Sequence, residues 1–395
     1  MRNKWILATF FLCLWAASWA QSSWDEARIT LLTCSPGEAL YSSFGHSAIR
    51  IQDPSRGIDQ VYNYGTFDFN TPNFYRKFLR GKLLYRLAIQ SYRSFLRDYQ
   101  AEGRSVYEEE VLLDGPEKEA LALFLAENHR PENREYLYDF FFDNCSSRIR
   151  DVFEQVLGDR LTYQFPGSDA EITYRDAIDP YISSRPWIDM GIDLLLGQPT
   201  DQVADERDQM FLPDHLSGQL AYARVDGGRN LLGPRVQLLE LTTELPSSSP
   251  VLRWVVLWCL MAFYVILWGF FPQSKLIPIV DVAYWIFLGL LGCLVAFMAL
   301  GTDHIATQHN WNLLWLHPLF LLAGIGMWIK RDAKWLRIFG WIQLLLVIGT
   351  MIAWNWLPQR LPPSSLPLFL LLGLHCIRLA GFQKPLKIKE KTNTP

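Results

Sequence analysis

The chain has no excess of basic charge: 37 Lys and Arg stand against 40 Asp and Glu, a formal net charge of −3. A nucleic-acid binder shows a basic patch or stripe, so no nucleic-acid partner is expected. Cysteine is scarce. Of six in 395 residues, Cys13 lies near the N-terminus, Cys259, Cys293 and Cys376 lie in apolar runs, and only Cys34 and Cys145 remain in the polar stretch between. Two cysteines are no disulfide framework. They are either a Cys34–Cys145 bridge, which an oxidising compartment would favour, or one reactive thiol and one buried bystander. The sequence also lacks internal repeats, and low-complexity tracts beyond one short linker, which sets repeat architectures aside. Asp303, His304 and His309 gather in residues 301–310, but their spacing matches no metal motif. Neither metal nor cofactor is expected.

What the chain does have is aromatic and apolar residues, with 16 Trp and 24 Phe, many of them after residue 250. The N-terminus reads Met1-Arg2-Asn3-Lys4, an apolar run from Trp5 to Ala17, then Ser18-Trp19-Ala20. A basic start, a short apolar run and a small-x-small site make a signal peptide over residues 1–20; an uncleaved anchor helix is the alternative. Either one exports the chain beyond residue 20. Residues 21–245 are polar and mixed, as for an exported α+β catalytic domain, and Pro246-Ser247-Ser248-Ser249-Pro250 is a linker.

Residues 251–383 then read as an all-α membrane domain of about five transmembrane helices, near 251–271, 279–300, 311–329, 335–356 and 366–380. The first four reach or approach the roughly 20 residues needed to cross a bilayer, and the fifth is short. Lys275, then Lys330, Arg331, Lys334 and Arg337, then Lys384, Lys387, Lys389 and Lys391 fall in alternate connections, whereas 301–310 and 357–365 carry only Arg360. By the positive-inside rule the chain is an inner-membrane protein with its first domain periplasmic and residues 384–395 a cytoplasmic tail.

Within the exported stretch, Arg28–Cys34 reads as a strand. Ser47–Ile51 and Gln60–Tyr64 alternate about a Pro-Ser-Arg-Gly turn, as a β-hairpin does. Glu117–Asn128 reads as a helix stopped by Pro131. A second helix follows Cys145, because Ile149, Val152, Phe153, Val156 and Leu157 recur at helical spacing before Gly158. Asp143 or Asn144 is its N-cap. Cys145 therefore falls in the first turn, where the helix dipole and free amides lower a thiol's pKa and offer an oxyanion site. His46, at a strand start, is the candidate base. A Cys at a helix start and a His at a strand start form the nucleophile and base of cysteine hydrolases. Asn63 is the candidate to orient the imidazole, but a register slip by one would replace it with Tyr62 or Tyr64, and Asp68 is a further option.

With these residues in view, the chain resembles the Lnb-type lipoprotein N-acyltransferases of Bacteroidota. The motifs are LLTCSPGEALYSSFGHSAIRI (31–51), VYNYGTFDF (61–69), NFYRKFLRGKLLYRL (73–87) and YDFFFDNCSSRIRD (138–151), with MGIDLLLG (190–197), MFLPD (210–214) and NWNLLWLHP (310–318). The resemblance puts the family's His on His46 and its Cys on Cys145, an order that implies a permuted papain-like exported domain like that of lecithin:retinol acyltransferase. It implies transfer of an acyl chain from a phospholipid donor, through a Cys145 thioester, to the amine of a diacylglyceryl lipoprotein. Ser43, Arg148, His304 and Asn310 are the expected substrate contacts. Rival readings are a membrane-anchored cysteine peptidase or amidase, a phospholipase, and a scaffold bridged through Cys34 and Cys145.

Overall fold

The computed structural model describes residues 24–167, 170–240, 249, 251–331 and 333–381. The expected signal segment, the cytoplasmic tail and all of the linker but Ser249 lie outside the described residues. The chain forms two compact units. Of the described residues, one takes in those of 24–78, 82–172 and 204–240, and the other those of 79–81, 173–203 and 249–381.

The first unit is built on a seven-stranded antiparallel sheet ordered β10-β5-β1-β2-β3-β4-β6. Its strands are β1 (Arg28–Cys34), β2 (His46–Asp53), β3 (Ile58–Thr66), β4 (Leu84–Ser91), β5 (Val106–Val111) and β6 (Glu135–Leu137), joined later in the chain by β10 (Leu232–Leu239). A small sheet of β7 (Leu161–Tyr163), β8 (Ala223–Val225) and β9 (Arg229–Asn230) stands beside it. The helices before the linker are, in chain order, α1 (Phe74–Leu79), α2 (Tyr92–Ala101), α3 (Gly115–Asn128), α4 (Cys145–Leu157), α5 (Tyr174–Ile182), α6 (Pro186–Leu195) and α7 (Pro213–Leu220), of which α5 and α6 belong to the second unit.

Strand alternation divides the sheet into two buried faces. Ile29, Leu31, Ile49, Ile51, Tyr62 and Tyr64 pack against Ile149, Val152, Phe153 and Leu157 of α4 and Leu121 and Leu125 of α3. On the other face Leu32, Cys34, Ala48 and Val61 pack against Phe95 of α2. Because α4 has its apolar residues on one stripe, burying that stripe fixes its rotation and so the direction of its first residue.

The second unit contains α8 (Val251–Phe270), α9 (Leu276–Gly301), α10 (Leu319–Ile329), α11 (Lys334–Ala353) and α12 (Leu366–Leu379). By length and composition three of these, α8, α9 and α11, can cross a membrane. A fourth span forms if Ile305–Leu314 and α10, bent by 44°, count as one, and Pro363–Leu379 is shorter. The expected continuous span over 311–329 is therefore broken: Trp311–Leu314 is a separate 3-10 turn, and Pro318 precedes α10. At Gly289 of α9 a Cβ would fall 2.1 Å from the Leu321 amide nitrogen, so this glycine lets two membrane helices touch backbone to backbone.

Residues 173–203, read from the sequence as part of the exported domain, group with these helices. Arg175, 1 % exposed, bonds Asp193 at 3.0 Å and Asp201 at 2.9 Å. The Gly197 amide donates to Ala306 O at 2.8 Å. Asn310 Nδ2 donates to Leu194 O and Leu195 O, and Gln359 Nε2 to Leu196 O at 2.9 Å. Those carbonyls lie at the end of α6, where a helix leaves its acceptors unpaired. The spatial boundary therefore does not follow the linear one.

Candidate active site

The site is assembled by three local devices in the first unit. The first is the N-cap of α4. Asn144 is extended at φ −122°, and its Oδ1 accepts from the Ser146 and Ser147 amides at 2.8 and 2.9 Å. Its Nδ2 donates to Phe140 O and Phe211 O at 2.6 and 2.8 Å, and its own amide donates to Ser147 Oγ at 2.8 Å. Asn144, not Asp143, is the cap. Asp143 instead accepts from Arg148 Nη2 at 2.6 Å, while the guanidinium lies 3.8 Å above the Tyr136 ring. Of the first-turn amides expected to be open for an oxyanion, those of Ser146 and Ser147 are held by Asn144, and the Cys145 amide is the one it does not hold.

The second device is the β2–β3 register. Ile49 pairs with Tyr62 and Arg50 with Val61, so Asn63 shares a face with His46 while Tyr62 and Tyr64 point to the other. Asn63 Nδ2 donates to Val61 O at 3.3 Å, and its Oδ1 lies 3.2 Å from His46 Nε2. The Val61 carbonyl can only accept, which sets the amide's orientation. Oδ1 can only accept as well, so Nε2 carries its hydrogen and Nδ1 is the basic nitrogen. Asp68, the other option, accepts from the Asn70 amide at 2.8 Å in an exposed turn.

The third device is a bulge. The β3–β4 pairing shifts register between Asn63 and Thr66, and Gly65 there has φ 78°. A Cβ at Gly65 would lie 3.5 Å from Cys145 Cβ and 3.3 Å from the Tyr138 ring. A glycine thus lets the strand end meet the start of α4, as bulges beside active sites do. The Ser47 and Ser146 hydroxyls, 3.0 Å apart, tie β2 to the same turn.

Burial pushes the Cys145 thiol up, but the charge and hydrogen bond of His46, the Ser47 backbone and the Ser146 hydroxyl outweigh it and leave the pKa below the ordinary thiol value. That is the direction a nucleophile needs. Cys34 pairs with His46 across β1–β2. Burial pushes its thiol up to about 12, against the opposing effects of the Arg104 charge and a hydrogen bond with Tyr99. Both cysteines are free thiols, so the bridged alternative is corrected: Cys34 packs with Phe95 on the α2 face and Cys145 packs in the α4 core.

Tyr136 is a further candidate that the pattern reading did not name. Burial raises its pKa, with a further upward push from Cys145, so the phenol stays protonated beside the sulfur. Its buried hydroxyl has no full hydrogen bond among the described residues; the Gly65 N–H lies toward it, short of that geometry. The run of aromatics before Cys145 was the available signal. Of the expected substrate contacts, Ser43 is buried with its Oγ donating to Ala39 O at 3.2 Å, and Arg148 is engaged by Asp143 and Tyr136. His304 and Asn310 belong to the second unit, where the Asn310 amide holds the α6 end.

The candidate site is a buried thiol, a half-buried imidazole and a buried amide, in a chain whose second unit is made of helices apolar enough to cross a membrane. A family model described as the Lnb N-terminal periplasmic domain matches residues 16–178, and one described as the Lnb transmembrane domain matches residues 243–384. The chain belongs to the Lnb family, and it is an inner-membrane protein with an N-terminal periplasmic domain. No curated protein and no solved structure matches it.

Proposed function

We propose that the protein is a lipoprotein N-acyltransferase that works through a thioester on Cys145. The observation that carries this reading is a buried thiol in the first turn of α4 together with His46, whose Nε2 is fixed by Asn63; the direction of the Cys145 pKa agrees with it. In the first step Cys145 Sγ attacks the carbonyl carbon of a phospholipid ester, and His46 Nδ1 holds the thiol proton. The C–O bond to glycerol breaks, the proton passes to the leaving oxygen, and a lysophospholipid departs. In the second step the α-amine of a diacylglyceryl-cysteine attacks the thioester, the C–S bond breaks, and His46 takes the amine proton. Sulfur leaves as thiolate, and the product is an amide. The Cys145 amide and the Tyr136 hydroxyl receive the developing oxyanion in both steps, as preorganised donors do.

Two features favour acyl transfer between lipids over hydrolysis of a cell-wall peptide. Attachment to a membrane unit tethers the exported unit to the bilayer that holds both substrates, which raises their effective concentration. A single anchor would serve a peptidase, whereas this chain carries a helical unit of its own. In this reading the exported unit is a permuted papain-like domain, the membrane unit has five spans with the bent pair as one, and the C-terminus is cytoplasmic. Intact-mass analysis of lipoprotein N-termini tests it. Cells with the wild-type protein should carry one more acyl chain per N-terminus than cells with Cys145→Ser or without the protein; equal masses would contradict the reading.

A further inference from the structure

The membrane unit holds a cavity of about 70 Å³ lined by Asp281, Trp285, Arg331, Arg337, His375 and Arg378, among others. These residues come from the start of α9, just beyond the end of α10, the start of α11 and the end of α12. Successive helices run in opposite directions, so those positions fall at one level, at the end of the unit opposite residues 302–318. One carboxylate organises the cluster. Asp281, 2 % exposed, accepts from the Tyr264 hydroxyl at 2.7 Å, from Arg331 Nη2 at 2.7 Å and from Arg378 Nε at 2.8 Å. Arg337 has no ion-pair partner among the described residues, so the lining sets three guanidinium groups against a single carboxylate.

His375 is the second observation. It is 1 % exposed, and its ring lies 4.1 Å from the Tyr264 ring and 4.2 Å from that of Tyr284. Its Nδ1 lies 3.1 Å from Asp281 Oδ1, while its Nε2 has no hydrogen-bond partner among the described residues, and a buried polar atom left so costs free energy. Orienting the chain in the bilayer requires only surface Lys and Arg. It does not require a guanidinium drawn down to a buried aspartate, or an imidazole nitrogen left without a partner beside it. An anion seated in the cavity accounts for both, with His375 as imidazolium so that Nδ1–H donates to Asp281 and Nε2–H to the anion.

We infer that this pocket binds the phosphate group of a membrane phospholipid. The volume is about that of two waters, enough for a phosphate and too little for an acyl chain, and guanidinium forks match phosphate oxygens. The surroundings favour a lipid over free phosphate, because Ile279, Trp328, Ile329, Trp335 and Ile338 near this end are exposed apolar side chains. Trp residues at such a level mark the headgroup region. By the orientation proposed above, the leaflet is the cytoplasmic one; only the leaflet rests on that reading. The bound lipid is a resident of the membrane unit, distinct from the acyl donor.

The test uses the purified full chain in detergent, with phosphatidylglycerol, diacylglycerol of the same chains, or inorganic phosphate added, read by native mass spectrometry and thermal stability. Wild type should retain one phosphatidylglycerol and gain stability from it, with no gain from diacylglycerol. Arg337→Gln, at an exposed position, should weaken retention by about 10-fold or more, the worth of a hydrogen bond to a charged group. Arg337→Lys should restore part of it, and Lys275→Gln should leave it unchanged. Cys145→Ser should bind the same lipid, so the result is independent of turnover. Equal binding of phosphatidylglycerol and diacylglycerol, or full retention by Arg337→Gln, would overturn the site. Displacement of the lipid by inorganic phosphate at matching concentration would overturn the lipid assignment.

Discussion

The two thiols of the periplasmic unit are both buried, one on each side of the same sheet, yet they are pushed in opposite directions. Cys34 sits in an apolar layer with Tyr99 and Arg104 near it, and burial carries it up to about 12. Cys145 is buried too, but His46 and the first turn of α4 hold it below the ordinary value. Burial alone therefore makes a thiol inert. A positioned imidazole at a helix start reverses that.

The largest expected effect tests this contrast directly. Cys145→Ala and Cys145→Ser should each lower acyl transfer by on the order of 10⁴-fold or more, as loss of a nucleophile does. Cys34→Ala should keep turnover and lose stability only, by about 1 to 2 kcal/mol for a small buried group. Comparable activity losses would break the comparison. The next largest is His46→Ala, which should lower the rate by about 10² to 10⁴. It should also move Cys145 alkylation by iodoacetamide to higher pH. In wild type the lowered pKa makes Cys145 react below the pH range of an ordinary thiol, while Cys34 stays unmodified until the chain is unfolded. An unshifted alkylation profile in His46→Ala would make His46 structural.

Smaller effects sharpen the account of what positions the pair. Asn63→Ala should cost about 10-fold in kcat, the worth of one hydrogen bond, with little change in KM. Asn63→Asp should recover part of it, since a carboxylate also accepts from Nε2. Gly65→Ala forces a Cβ into left-handed backbone, at about 1 to 2 kcal/mol. Because that Cβ meets Tyr138 and Cys145, turnover should fall further than thermal stability does. Parallel losses would mean Gly65 serves folding alone.

Much of this was legible in the sequence. The strand Arg28–Cys34, the hairpin after it and the helix from Cys145 to Leu157 lie where the apolar periodicity puts them, because each buries one regular face. Which residue oriented His46 was not legible. The choice among Tyr62, Asn63 and Tyr64 depends on a single-residue register that only the pairing of Ile49 with Tyr62 decides. The oxyanion donors were misjudged for a related reason: a cap such as Asn144 consumes the amides it satisfies. The grouping of residues 173–203 with the membrane helices rests on contacts far apart in sequence, such as Asn310 with Leu194. Local patterning carries no trace of these. The third apolar run looked continuous because its composition is; the break at Trp311–Leu314 comes from side chains such as Asn312, whose Nδ2 donates to Leu194 O at 3.2 Å.

The central claim is that Cys145 carries an acyl chain between two lipids, and the acyl-enzyme itself is the measurement that tests it most directly. Wild-type protein given phospholipid alone should gain one fatty acyl group on Cys145, removable by neutral hydroxylamine as a thioester is. The group should leave when a diacylglyceryl lipopeptide with a free amine is added, and it should persist with the N-acetylated lipopeptide. Discharge to water without any acceptor would make the protein a phospholipase, and no adduct at any time would contradict the account.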